Sequence, residues 1–453
     1  LSVSRPPPTG EAPSTDALVP PLQTPGIIQR NYTLGVLNGV LFTLGDAFSN
    51  ASLVLALLIR QLGGSLIVVG LLPALQSGGF LLPQLFVGGR LQAMPYKLPL
   101  YRRAALARTV AYFILTAVMF AAAYLPSTVS LWLIVICFTV FQVGGGTSTL
   151  AFQDVVAKTI PPEQRGRFFS TRLLFGGLLA FAVAGPLVRL LLSADGPLAF
   201  SANFGVLGLL TLLFYAAGMY AFIMVREPPQ TRPGPRLRVI EGLRRAPQIL
   251  RHNRNYRWFI LTRMLTRTGQ IGEPFFILYA TEALQLPSSV AGVYLAVRAL
   301  AGAVSNLIWG RISARLGNRS LLSVSTALLA LVPVLALAGP PLAAVLQTGA
   351  NGLLVVFGLV FLVSGAATDG SNIASMTYLL EIVPEDERPT YMALANTTLG
   401  VVTFVPVLGG WLVAALGYRA TFTIGLVFAL LGLLAAQRLG RADLTVDGVG
   451  EAR

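Results

Sequence analysis

The sequence predicts an all-α membrane protein whose twelve transmembrane helices form two bundles of six. Three observations carry that prediction. Of 453 residues, 55% are hydrophobic and only 11% are charged, whereas a soluble domain carries about 25% charged residues; this chain cannot clad a core with a solvated shell. Apolar runs long enough to cross a bilayer, about 20 residues each, recur along its whole length. The arginines fall in short clusters between those runs rather than on one polar domain.

In chain order, residues 1–32 form a proline-rich tail (Pro6, Pro7, Pro8, Pro13, Pro20, Pro21, Pro25) that is expected to be disordered and shows no signal-peptide pattern. Spans are expected near 34–59, 66–89, 104–125, 131–155, 168–192 and 200–225, which make an N-terminal bundle over 33–225. A basic cytoplasmic linker, 226–257, holds nine Arg. Within it Leu237, Ile240, Leu243 and Leu250 recur at near-helical spacing among arginines. That pattern fits an amphipathic helix on an anionic leaflet, and it fits a solvated basic linker as well. Spans near 258–281, 289–312, 320–344, 352–382, 390–415 and 420–437 make a C-terminal bundle over 258–438, and 439–453 is a second cytoplasmic tail. Continuous runs of this length fit helices better than an outer-membrane barrel, whose strands are about ten residues of alternating pattern.

Orientation follows from the basic residues. With both ends cytoplasmic, 25 of 33 lie in the tails and even-numbered loops, three (Arg60, Arg189, Arg419) lie outside and five lie within spans. The chain is therefore expected in the cell inner (plasma) membrane with both termini inside. The net charge of +15 would suit a nucleic-acid partner, but its dispersal between apolar runs argues against one. With one cysteine, Cys137, and one histidine, His252, an intrachain disulfide is impossible and a Cys/His zinc site is not expected. No cofactor is implied.

The two halves echo each other. Gly89-Arg90 has a counterpart in Gly310-Arg311, Ile160 to Arg165 in Val383 to Arg388, and Gly176 in Gly400, all at an offset of about 222 residues. Parallel repeats of this kind are a known transporter plan. Over roughly residues 33–438 the chain resembles the major facilitator superfamily (MFS). The clearest match is Gly310-Arg311-Ile312-Ser313-Ala314-Arg315-Leu316-Gly317-Asn318-Arg319, which is similar to the family's loop motif of Gly, three residues, Asp, Arg, one residue, Gly and basic residues. Here Ala314 stands at the acidic position. The first-half copy, from Gly88, also lacks the acid and has Pro95-Tyr96-Lys97 where the second glycine would fall. Gly185-Pro186 resembles part of an antiporter signature whose other glycines are absent, and Thr139 stands where such exchangers carry an arginine in span 4. The resemblance implies a central cavity lined by spans 1, 4, 7 and 10.

Ionisable side chains inside a membrane are costly and persist where they pair or carry function. Asp46 lies about twelve residues, roughly 18 Å, into span 1, with Asn38, Ser49 and Asn50 on the same stripe. Span 7 carries Arg263, Arg267 and Gln270 at i, i+4, i+7, then Glu273 before Pro274. Span 10 carries Asp369 with Thr368, Asn372, Ser375 and Met376, and span 4 contributes Gln142 and Gly144-Gly145-Gly146. The expected substrate or proton site is Asp46, Asn50, Gln142, Arg263, Arg267, Gln270, Glu273, Asp369 and Asn372. The alternative is a structural ion pair such as Arg267 with Asp46. Arg108, Arg172 and Arg298 lie nearer helix ends and are read as structural. Asp154, Glu163, Arg165 and Arg167, with Glu381, Asp386 and Arg388, occupy equivalent inter-span loops and are expected to gate, together with Gly310, Arg311 and Arg315; the loop charges fit ordinary solvated residues as well. Gly176-Gly177 and Gly409-Gly410 are read as packing sites, since no strand precedes them and no Lys follows.

These features point to a monomeric secondary carrier of a small organic solute working by alternating access with protons or another coupling ion. Efflux of amphipathic compounds and uptake of an anionic metabolite both stay open, because acids favour cations and arginines favour anions. A transport-inactive sensor or assembly protein is the alternative from another class. An intramembrane enzyme is disfavoured by the lack of a metal motif, a Cys–His pair or a Gly-x-Ser-x-Gly elbow.

Overall fold

A bilayer core offers the backbone no water, so a crossing chain must satisfy its amides internally as helix. The structure, a computed structural model, describes residues 24–92, 94–229, 248–251, 253–345, 347, 349–383 and 388–440. Span 1 is Pro25–Gln61, span 2 Leu66–Gln92, span 3 Leu98–Ala121 and span 4 Ser127–Thr159. Span 5 is Pro162–Leu191 and span 6 Ala202–Ile223. Span 7 begins at Arg254 and ends with the turn Tyr279–Ala283. The run Val290–Val345 holds spans 8 and 9, which part at Gly317. Span 10 is Gly349–Ile382. Span 11 starts at Arg388–Val402 and resumes at Val405, and span 12 follows Gly417 to end at Gln437.

Nine helices among the described residues qualify as spans by length and hydropathy. Twelve crossings arise because two of the nine, Val290–Val345 and Leu394–Gln437, each reverse at one glycine, and because the charges of span 7 hide it from a hydropathy criterion. Gly317 (φ 81, ψ 163) and Gly417 (φ 84, ψ 171) make those reversals in single residues. That region of backbone space is essentially closed to residues with a Cβ.

Several edges move from their expected positions. Span 1 starts at Pro25, inside the stretch read as tail, since Pro suits the first turn of a helix. Span 3 starts at Leu98 rather than 104, because Arg102 and Arg103 sit in its first turns and masked its true start. The amphipathic pattern of the linker lies outside the described residues except for helical 248–251.

With twelve crossings the first and last described residues, Thr24 and Gly440, lie on one face, called here the terminal face. A continuous apolar core runs through the first half and into the other end of the second half, where Phe275, Tyr279, Tyr294, Phe357 and Phe422 join it. The terminal-face end of the second half has a separate core around Tyr256, Phe259, Trp309 and Tyr378. Among the described residues the halves thus share a core only at the face opposite the termini. Backbone meets backbone there: a Cβ on Gly70 of span 2 would lie 2.1 Å from the Pro406 carbonyl oxygen of span 11, and one on Gly292 of span 8 would lie 2.2 Å from the Arg189 amide nitrogen of span 5. Gly70 and Gly292 are separated by the repeat offset. Arg60 closes the same face on Glu282 at 2.7 Å, and Tyr418 Oη donates to the same carboxylate at 2.6 Å.

At the terminal face the described polar contacts tie each half to itself. Glu227 accepts the Lys97 and Leu98 amides at 2.8 Å and the Lys158 ammonium at 2.9 Å. Lys97 Nζ donates to the Leu91 and Met94 carbonyls, closing the first-half loop that lacks the motif glycine. Burial draws the Lys97 pKa below the usual lysine value, while Asp154 opposes the shift.

Candidate functional site

Span 1 is broken at Ser49–Asn50, three residues past Asp46, and restarts as a π-helical turn, Ala51–Leu55. Asn50 caps the restart by accepting the Ser52 amide at 3.1 Å. Span 7 is interrupted at the matching point of the repeat: Arg254–Gly269 gives way to a 3-10 stretch, Gln270–Phe275, that contains Glu273 and Pro274. Irregular backbone at membrane depth survives only where it lines a cavity or is buried in protein. Such interruptions mark midplane binding sites in carriers.

Three adjoining cavities lie between the halves. The central one, about 520 Å³, is lined by Asp46, Gln76, Arg108, Gln142, Arg263, Arg267 and Asn396, among others. The second, about 230 Å³, takes Asp46, Asn50, Arg298, Asn306, Thr368 and Asp369. The third, about 340 Å³, takes Asp46, Asn50, Arg267, Gln270, Glu273 and Arg298. Asp46 lines all three. Its carboxylate accepts a hydrogen bond from Tyr215 Oη of span 6.

Of the nine residues expected to bind substrate or protons, eight line these cavities. Arg263 donates through Nη1 to Ser371 Oγ at 2.6 Å, and Arg267 donates to Gln270 Oε1 at 3.4 Å. Asp369 accepts from Asn306 Nδ2 at 3.4 Å and packs against Gly302, where a Cβ would sit 2.7 Å from its Oδ2. Asn372 is the exception: although it stands three residues from Asp369 on span 10, it is exposed and lines none of the three. The ion pair foreseen between Arg267 and Asp46 is replaced by Arg298 with Glu273 at 2.7 Å.

Two arginines read as structural also line the cavities, and Arg298 does so while keeping the ion pair that a structural role implies. Arg298 lines two of the cavities, and Arg108 lines the central one, sandwiched between Phe42 and Phe141 at 5.0 and 4.2 Å. Arg108 is ten residues into span 3, roughly 15 Å at 1.5 Å per residue, a depth that the misplaced start of the span concealed. Arg172 keeps its structural role: it donates to the Gly35 carbonyl at 2.9 Å and to Asn38 Oδ1 at 3.2 Å and lies over Phe152. The cavity lining also extends beyond spans 1, 4, 7 and 10 to spans 2, 3, 5, 8 and 11.

The expected gate charges pair differently from the loop pattern. Asp154 meets Lys158 at 3.3 Å and Lys97 at 3.8 Å. Arg165 instead donates to the Ile160 and Ala157 carbonyls at 3.0 and 2.6 Å, closing the end of span 4. Glu381 accepts from Asn318 Nδ2, and Asn318 Oδ1 in turn accepts from Ser313 Oγ at 2.5 Å, so the second-half motif is tied to span 10 without its acid. Gly310, Arg311 and Arg315 are exposed. Asp386 and the side chains of Arg90 and Arg388 lie outside the described residues.

The architecture matches one family twice over. A model of the Major Facilitator Superfamily matches residues 36–271 and again 268–447. The chain belongs to the Major Facilitator Superfamily. Its fold is similar to a bacterial homologue of the iron transporter ferroportin in an inward-facing state (TM-score 0.66, 16% identity, 91% of this chain and 99% of that one). The outward-facing state of such a homologue overlays at 0.58 (16% identity, 90% and 99%). A D-xylose–proton symporter overlays at 0.65 (15% identity, 91% and 98%). No curated protein matches the chain in sequence. At these identities the likeness concerns the fold alone. It is that of a multi-pass membrane protein.

Proposed function

We propose that this chain is a secondary active transporter that carries a small organic solute by alternating access, coupled to protons. The observation that carries the reading is the position of Asp46: a carboxylate beside a broken helix, common to three cavities between the halves, with one face sealed above it. A carrier needs a midplane site reached from one side at a time, and a mid-membrane acid is the group that can take up and release a proton in step with the cargo. The terminal face is the cytoplasmic one, supported by the 25 to 3 distribution of basic residues. The conformation is then inward-open, in a monomer of the plasma membrane with bundles at 33–225 and 258–438. The gating role of Asp154, Arg165, Gly310, Arg311, Arg315, Glu381 and Arg388 belongs to the same proposal, since these residues ring the terminal face. Neighbours of the same fold include a homologue of an iron transporter and a D-xylose–proton symporter, so the cargo must be read from this chain's own cavity.

Vesicles reconstituted with the purified protein, an imposed pH gradient and labelled sugars, nucleosides, carboxylates and organic cations test the reading. Accumulation of a panel member that a protonophore collapses is expected. Uptake indistinguishable from protein-free vesicles across the panel contradicts transport.

A further inference from the structure

The central cavity is unbalanced in charge. Three guanidiniums line it, Arg108 from span 3 and Arg263 and Arg267 from span 7, against a single carboxylate, Asp46. That carboxylate is already engaged by Tyr215. Arg108 and Arg263 are 8% and 6% exposed. Each guanidinium offers five N–H donors, yet their described partners are neutral: Ser148 Oγ at 3.3 Å, Ser371 Oγ at 2.6 Å and Gln270 Oε1 at 3.4 Å. The Nε of both Arg108 and Arg263 has no partner. Among the described residues no carboxylate lies within ion-pair distance of the three, whereas Arg298, which lines the two adjoining cavities, is matched by Glu273 at 2.7 Å. A buried charge that keeps neither a counter-ion nor a full set of acceptors is strongly disfavoured, so the cavity calls for a negative group.

We propose that the central cavity binds an organic anion, a carboxylate or a phosphate ester, whose oxygens are held between Arg108 of the first half and Arg263 and Arg267 of the second; this rests on the carrier reading. Guanidinium forks match both oxyanions in bidentate geometry. Gln76, Gln142 and Asn396 supply amides for a polar body, and the volume suits a small metabolite. An anion held from both halves favours the state that brings them together around it, which ties binding to the conformational change.

The test is thermal unfolding of the purified full chain with succinate, glycerol 3-phosphate, inorganic phosphate, tetraphenylphosphonium or xylose. Succinate or a phosphate is expected to raise Tm, and which of them does so separates the carboxylate from the phosphate source. Arg263→Gln and Arg108→Gln should weaken that effect by about tenfold or more, with partial retention in the lysine variants. Arg267→Gln, at a half-exposed position, serves if the buried variants fail to fold. Stabilisation by tetraphenylphosphonium or xylose alone, by none of the anions, or by an anion equally in all the variants overturns the inference. Flux separates the two readings. A bound anion that never crosses a reconstituted membrane sinks the carrier and leaves the anion site; a cation or neutral solute that does cross sinks the anion site and leaves the carrier.

Discussion

Gly292→Ala puts a methyl group where the two halves touch at the face opposite the termini. The new Cβ would stand 2.2 Å from the Arg189 amide nitrogen, 2.4 Å from the Gly185 carbonyl oxygen and 2.7 Å from the Arg189 Cα. All three are backbone atoms of span 5, so no side chain can rotate away. Restoring ordinary contact at about 3.5 Å requires the helices to part by roughly 1.3 Å. Overpacking of this kind costs about 1–3 kcal/mol, which corresponds to a roughly 5- to 150-fold shift away from the state sealed at that face. Nitroxide pairs read the shift by pulsed electron resonance after Cys137→Ala removes the one native thiol. Labels at Tyr124 and Val345 report on the sealed face, and labels at Gln164 and Leu316 on the terminal face; all four positions are exposed. The first distance should lengthen and the second shorten. Gly400→Ala is the control, since its Cβ meets only Leu82 at 4.0 Å. Unaltered distances in Gly292→Ala, or an equal change in the control, would refute the assignment of this contact as the seal.

Breaking the latch at the same face by Arg60→Gln or Glu282→Gln should move the same distances in the same direction, but less. The pair is about one-third exposed and such bridges give about 0.2–1 kcal/mol, hence a shift of fivefold at most, about; a larger effect from the latch than from Gly292→Ala would contradict this ranking. Asp46→Asn should abolish the response of transport to an imposed pH gradient while the protein still folds, and flux with unchanged pH dependence removes Asp46 from the coupling. Glu273→Gln and Arg298→Gln should be non-additive in Tm, with a coupling of about 0.5–3 kcal/mol. Strict additivity would mean that their 2.7 Å contact does not stabilise the second half.

The number of crossings was legible in the sequence because each span must be apolar for most of its length, and span 7 keeps enough apolar residues around its charges to be read as one. Asp46 and Glu273 were legible for the same reason: depth along a helix is a count of residues, and an acid at mid-depth stands out. Azimuth was not legible. Asn372 and Asp369 are neighbours in sequence, yet only Asp369 faces a cavity, and which side of span 10 turns inward depends on packing that one sequence does not specify. The depth of Arg108 was misread because basic residues in the first turns of span 3 shift its apparent edge. Arg298 lies about 12 Å into span 8 at 1.5 Å per residue, far from either end, and the repeat carries no charge at its counterpart to draw attention to it. The seal was half visible: Gly70 and Gly292 share the 222-residue offset, but each contacts the other half of the chain at a point that no local pattern announces.

Whether this protein couples solute to protons is decided by proton-driven flux. Protein in vesicles is given a pH step with a solute that raises its Tm, and solute uptake is recorded beside the internal pH. Solute and proton movements should rise together in the wild type, and Asp46→Asn should uncouple them while binding survives. Solute movement with no proton movement in the wild type, or coupling that survives Asp46→Asn, would contradict this expectation.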